Sequence, residues 1–187
     1  CDNTFLGRYA GKCASGSGGR NNFIGFSAGL SNTTGSCNNF IGRCAGYCNT
    51  TGCNNTFVGS NVGIANTTGS HNNMIGCGAG QCATVTGQHN TFLGSYAGKC
   101  ASGSGSCNNF IGRDAGFNNT TGSQNNFIGH VAGVGNTTGS CNNMIGVGAG
   151  RCAAVTGSHN TFLGSYAGKC ASGSGTCNTF IGYNAGK

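Results

Sequence analysis

Asn38-Asn39-Phe40-Ile41-Gly42-Arg43-Cys44-Ala45-Gly46-Tyr47-Cys48-Asn49-Thr50-Thr51-Gly52 is one copy of a unit that fills the chain. Its opening Asn-Asn-Phe-Ile-Gly, or a close variant, recurs eleven times, each start seventeen or eighteen positions after the last. A period this short is one coil of a solenoid. One coil buries too little to stand alone, so the fold exists only as a stack. The sequence therefore describes a rod.

With position 1 set just before the Asn-Asn or Asn-Thr pair, coils begin at Asp2, Arg20, Cys37, Asn54, His71, His89, Cys107, Gln124, Cys141, His159 and Cys177. Residues 1–187 form a single repeat array. Because it starts at Cys1 in mid-pattern, the expectation is a fragment of a longer secreted fibre. Position 2 is an Asn column: Asn3, Asn21, Asn38, Asn55, Asn72, Asn90, Asn108, Asn125, Asn142, Asn160 and Asn178. Position 4 is an apolar column: Phe5, Phe23, Phe40, Phe57, Met74, Phe92, Phe110, Phe127, Met144, Phe162 and Phe180. Position 5 is Ile, Leu or Val, positions 6 and 10 are Gly, and position 9 is Ala except at Val62.

Asn-Phe-Ile-Gly reads as a short strand with a turn behind it, and a second strand is expected over Thr-Thr-Gly or Ala-Ser-Gly. No segment has the 3.6-residue apolar period of a helix. The fold class is thus all-β: a β-solenoid, or parallel β-roll, of about eleven coils without helix. Coils about 4.8 Å apart make a rod roughly 50 Å long. Stacked Asn side chains are expected to form an amide ladder. Neighbouring residues of a strand point to opposite faces, so positions 4 and 5 imply one interior column and one apolar stripe along the rod. We mark the Phe/Met column as the apolar ladder or oligomer stripe, unless a bend at the Asn pair or the following Gly turns both columns inward. A stripe of that size implies a partner chain.

Among 187 residues there are 39 glycines, no proline and only two acids, Asp2 and Asp114, against nine Lys and Arg. The absence of a Gly-X-Y triplet excludes collagen, and the periodic Phe and Ile argue against disorder. No run approaches the ~20 apolar residues of a membrane helix. The net charge of +7 is scattered, so the expectation is no nucleic acid partner and no membrane insertion. A longer period is also present: NTFLGSYAGKCASGSG occurs at 90–105 and again at 160–175, a spacing of four coils. Copying of such a block lengthens a filament.

The pattern N-[NT]-F-I-G-x-x-A-G-x-x-N-T-T-G, as in residues 38–52, resembles the repeats of YadA-like trimeric autotransporter heads and of phage tail-fibre shafts. The resemblance spans the chain, though this chain has longer coils and more cysteine. It implies a left-handed parallel β-roll, a three-chain fibre, and a place on a cell or virion surface.

Fourteen cysteines suggest an oxidising, extracellular compartment. Cys82 with Cys100, and Cys152 with Cys170, share position 12 in consecutive coils, and a spacing of about 4.8 Å suits a disulfide. Cys37 with Cys53, and Cys44 with Cys48, are off-column candidates. His71, His89 and Cys107 stack at position 1, but one column gives a line rather than the tetrahedron zinc prefers, so no metal and no cofactor are expected. Asn32, Asn49, Asn66, Asn119 and Asn136 each begin Asn-Thr-Thr and match the glycosylation pattern, as do the triplets at Asn54 and Asn118.

These features favour a structural fibre, adhesive through a surface receptor or glycan and associating with itself as a trimer or head-to-tail filament. The alternative is an ice-binding solenoid, from the Thr33-Thr34, Thr50-Thr51 and Thr67-Thr68 ladder. No catalytic residue is assigned: Asp2 and Asp114 are far apart, and acid–base chemistry needs them positioned together.

Overall fold

The computed structural model describes residues 2–14, 16–82, 86–151, 156–170 and 174–186. Each coil contributes one three-residue strand: β1 (Thr4–Leu6), β2 (Asn22–Ile24), β3 (Asn39–Ile41), β4 (Thr56–Val58), β5 (Asn73–Ile75), β6 (Thr91–Leu93), β7 (Asn109–Ile111), β8 (Asn126–Ile128), β9 (Asn143–Ile145), β10 (Thr161–Leu163) and β11 (Thr179–Ile181). They form one eleven-stranded sheet in chain order. All pairs are parallel and in register, so Phe23 lies on Phe40 and Phe40 on Phe57. Among the described residues there is no helix. The protein is a parallel β-solenoid.

The strands are short because each is closed by a glycine that nothing else replaces. Gly25 has φ 137°, and a Cβ there would lie 2.5 Å from the Gly42 carbonyl oxygen of the next coil. At position 10, Gly46 has φ 60°, and a Cβ would sit 2.5 Å from the Phe40 ring. The first glycine lets coils approach; the second makes room for the core aromatic.

The Phe/Met column fills the interior. Phe23, Phe40, Phe57, Met74, Phe110, Phe127 and Met144 are fully buried, together with the position 9 alanines between the two terminal coils. Neighbouring rings lie nearly parallel with centroids 4.8 to 5.1 Å apart. This corrects the assignment of that column as the oligomer stripe: the strand alternates, Phe turns inward, and Ile, Leu or Val turns outward. Ile75 is 42% exposed and most of the other outward residues are half-buried. Only in the terminal coils does the core column reach solvent, at Phe5 (40% exposed) and, half-buried, at Phe180.

The second strand is absent from the described residues. The segment bends instead, and three successive amides converge on one carbonyl: those of Thr33, Thr34 and Gly35 donate to the Thr50 oxygen at 2.9, 3.2 and 3.2 Å. A strand would send them in alternating directions.

Coil length has a residue-level cause. The chain has a shorter and a longer coil, differing by a single residue. Every coil with Asn at position 13 is of the shorter kind, and every complete coil with Ala there is of the longer. Asn32, Asn49, Asn66, Asn119 and Asn136 donate Nδ2 to the glycine carbonyl three residues on, at 2.8 to 3.1 Å. That local bond draws the corner in by one residue. Alanine cannot make it, and the longer coils take one residue more.

Candidate functional site: a basic and aromatic edge

The Asn columns show how the surface is held. Over most of the rod the Asn side chains at position 2 do not form the expected amide-to-amide ladder; it is seen in the last coils, where Asn160 Nδ2 donates to Asn142 Oδ1 at 3.1 Å and Asn178 Nδ2 to Asn160 Oδ1 at 3.0 Å. The backbone N–H of each donates to Oδ1 of the Asn in the preceding coil, as in Asn38 to Asn21 at 2.9 Å and Asn55 to Asn38 at 3.0 Å. Their own Nδ2 groups cross the coil to a glycine carbonyl, as in Asn38 to Gly52 at 2.8 Å. Each Asn thus ties two coils and closes one. Side-chain ladders occur elsewhere: at position 13, from Asn49 to Asn32 (2.8 Å) and Asn66 to Asn49 (2.7 Å), and at position 3, from Asn22 to Asn39 (3.0 Å).

This geometry corrects the glycosylation candidates. Asn32, Asn49, Asn66, Asn119 and Asn136 are at most 1% exposed, with their amide nitrogens in hydrogen bonds. A glycan on any of them is incompatible with the coil. The exposed triplets begin at Asn54 and Asn118.

The described cysteines are free thiols. Cys82 and Cys100 lie in adjacent coils, where the Cys82 amide donates to the Lys99 carbonyl at 2.8 Å, and both are free thiols in place of the expected disulfide. Cys37 and Cys53 are unbonded because Cys53 Sγ turns to the Ser36 amide (3.3 Å) and the Thr51 carbonyl (3.3 Å). Cys44 and Cys48 lie in different columns, at positions 8 and 12, and are also free. Cys152 lies outside the described residues, and so does the pair it would make with Cys170. At position 1, the His71 and His89 rings stack at 4.8 Å, and Asn54 Nδ2 lies 3.3 Å from His71 Nε2.

One edge of the rod gathers most of the remaining chemistry. Eight of the nine Lys and Arg side chains fall at positions 7 or 11; Arg20 alone does not. All five Tyr, with Phe26 and Phe117, fall at positions 7, 8 or 11. The glycines at positions 6 and 10 and a left-handed residue at position 8 (φ 63° at Tyr9, 58° at Tyr96) turn those of the described residues to one corner. There they touch from coil to coil. Lys99 Nζ lies 4.6 Å from the Tyr96 ring centre and 5.7 Å from that of Phe117 in the next coil. Lys12 and Arg8 lie 5.0 and 4.7 Å from the Tyr9 ring, and Lys169 lies 5.2 Å from Tyr166. Tyr96 lies across Gly78 and Tyr166 across Gly148, where a Cβ would come within 2.6 Å of the ring. The edge also holds an open cavity of about 380 Å³, lined by Asp114, Phe117, Asn118, Val131, Val134 and Arg151. Asp114 is paired with Arg113 at 3.2 Å.

Reading the cations as scattered missed this edge. Counting them by coil position rather than along the chain is the signal that finds it. No family model matches the chain, and no curated protein or solved structure matches it significantly.

Proposed function

We propose that this chain is a structural rod of an extracellular or virion-surface fibre, adhesive along its side and without enzymatic activity. One observation carries the reading: the ordered interactions run along the axis. Strand pairing, the Asn bonds of position 2 and the Phe stack each join a coil to the next. Such an arrangement resists extension and keeps a surface in fixed register over about 50 Å. The outward Ile/Leu/Val column gives a line for lateral association with further copies. Electron microscopy of native material, with and without reductant, tests the reading. Uniform fibres are expected, and their loss in reductant would assign cysteines to inter-chain bonds; short discrete particles under both conditions would reject the fibre.

The exposed column of Thr34, Thr51 and Thr68 keeps an ice-binding reading as the alternative. Its inner neighbours are already engaged, since the Thr33 and Thr50 hydroxyls donate to carbonyls of the next coil at 3.1 Å. Absence of thermal hysteresis would remove it.

A further inference from the structure

We infer that the basic and aromatic edge binds a linear, carboxylate-bearing polysaccharide. This deepens the adhesive part of the function proposed above by naming the ligand class and the surface that takes it.

Charge comes first. Seven described cations stand on this edge; one of them, Arg113, is paired with its one acid, Asp114, which leaves six unopposed. An anionic chain lying along the rod therefore meets only attraction. The cations are also partly ordered before any ligand arrives. Lys99, Lys12 and Lys169 each rest over a tyrosine ring, and Tyr96 and Tyr166 are themselves seated on glycines of the preceding coil. Part of the side-chain entropy that binding would otherwise cost is already spent.

Charge density separates two kinds of polyanion. Six unopposed cations over a rod of roughly 50 Å give one per about 8 Å, whereas duplex DNA carries one charge per about 1.7 Å. Nucleic-acid surfaces concentrate Lys and Arg; this edge leaves whole coils uncharged. The spacing suits a polymer whose carboxylates are separated by neutral sugar faces. Apolar surface is available between the cations for those faces. Phe26 is 44% exposed and Tyr183 75%, neither beneath a cation. The cavity beside Arg151 offers Phe117, Val131 and Val134, and its 380 Å³ falls within the range of small-ligand sites.

The test measures binding of polygalacturonate oligomers, neutral dextran oligomers and oligo-dT to the full chain at low and moderate salt. Polygalacturonate is expected to bind, to weaken at least about tenfold as salt screens the charges, and to exceed both other probes. The triple variant Arg43→Glu, Lys99→Glu, Lys169→Glu should lose at least about tenfold in affinity, while Arg20→Glu, off the edge, should not change it. Circular dichroism must show both variants folded; if the triple variant is unfolded, the single Arg43→Glu, exposed on the surface, takes its place with a smaller loss. No polygalacturonate binding, equal loss in Arg20→Glu, or salt-insensitive binding overturns the proposal. Stronger binding to oligo-dT reassigns the edge to nucleic acid and overturns it as well. Microscopy reads the fibre independently, so failure of the edge and failure of the rod are distinct results.

Discussion

At the level of single residues, the fold rests on buried amides more than on charge. Asn49 accepts from Asn66, donates to Asn32 and donates to Gly52. Asn49→Ala strands the Asn32 oxygen inside the rod and should cost about 2–3 kcal/mol, measured by thermal or denaturant unfolding. Position 8 shows the opposite situation. Val131 is held at φ 53°, where a β-branched side chain is strained, while Asn61 and Asn184 occupy the same coil position at 57° and 55°. Val131→Asn should therefore raise stability by about 0.5–1 kcal/mol, read from the same unfolding curves. Two thiols are shifted. Burial pushes the Cys48 pKa up, and burial, with the neighbouring Cys82, pushes up Cys100 against the smaller opposing pull of Lys99. The thiolate is the nucleophile, so both should alkylate slowly near neutral pH compared with exposed Cys13 and Cys177. A raised pKa means the folded state holds its proton more tightly. Their contribution to stability is therefore present in full below the ordinary thiol pKa and is lost as pH rises through the raised one.

At the level of the coil, much was legible in the sequence and some was not. The Phe-Ile alternation predicts one column in and one out, but identical spacing cannot say which; the ring won the interior because Gly at position 10 clears space for it. The Asn column is visible as a column, yet its bonding is not, because an Asn oxygen serves a backbone amide as readily as another side chain. The left-handed residues at positions 1 and 8 leave no trace, since Tyr, Cys and His occupy them at least as often as Asn, and Val131 stands there too. The coil-length rule, by contrast, is plain in the sequence: Asn at position 13 goes with the shorter coil and Ala with the longer. It makes a prediction. Deleting Gly103 alone leaves an alanine coil one residue short, whereas the same deletion combined with Ala101→Asn restores the corner bond. The double change should be more stable than the deletion by about 1 kcal/mol, one net hydrogen bond.

For the whole molecule, the central claim is that a repeated in-register contact joins each coil to the next, and that this axial bonding makes a rod with a chemically fixed edge. Stability is then a sum over neighbouring interfaces. The same stacking places a Tyr–Lys pair four coils from its copy, so duplicating the block lengthens the fibre and the binding edge together. Residue-resolved amide hydrogen exchange tests the claim most directly. The account predicts that the position 2 amides from Asn38 to Asn142, each bonded to the Asn oxygen one coil below, are among the slowest in the chain, with protection recurring once per coil. Rapid exchange at those amides, or protection with any other period, would contradict it.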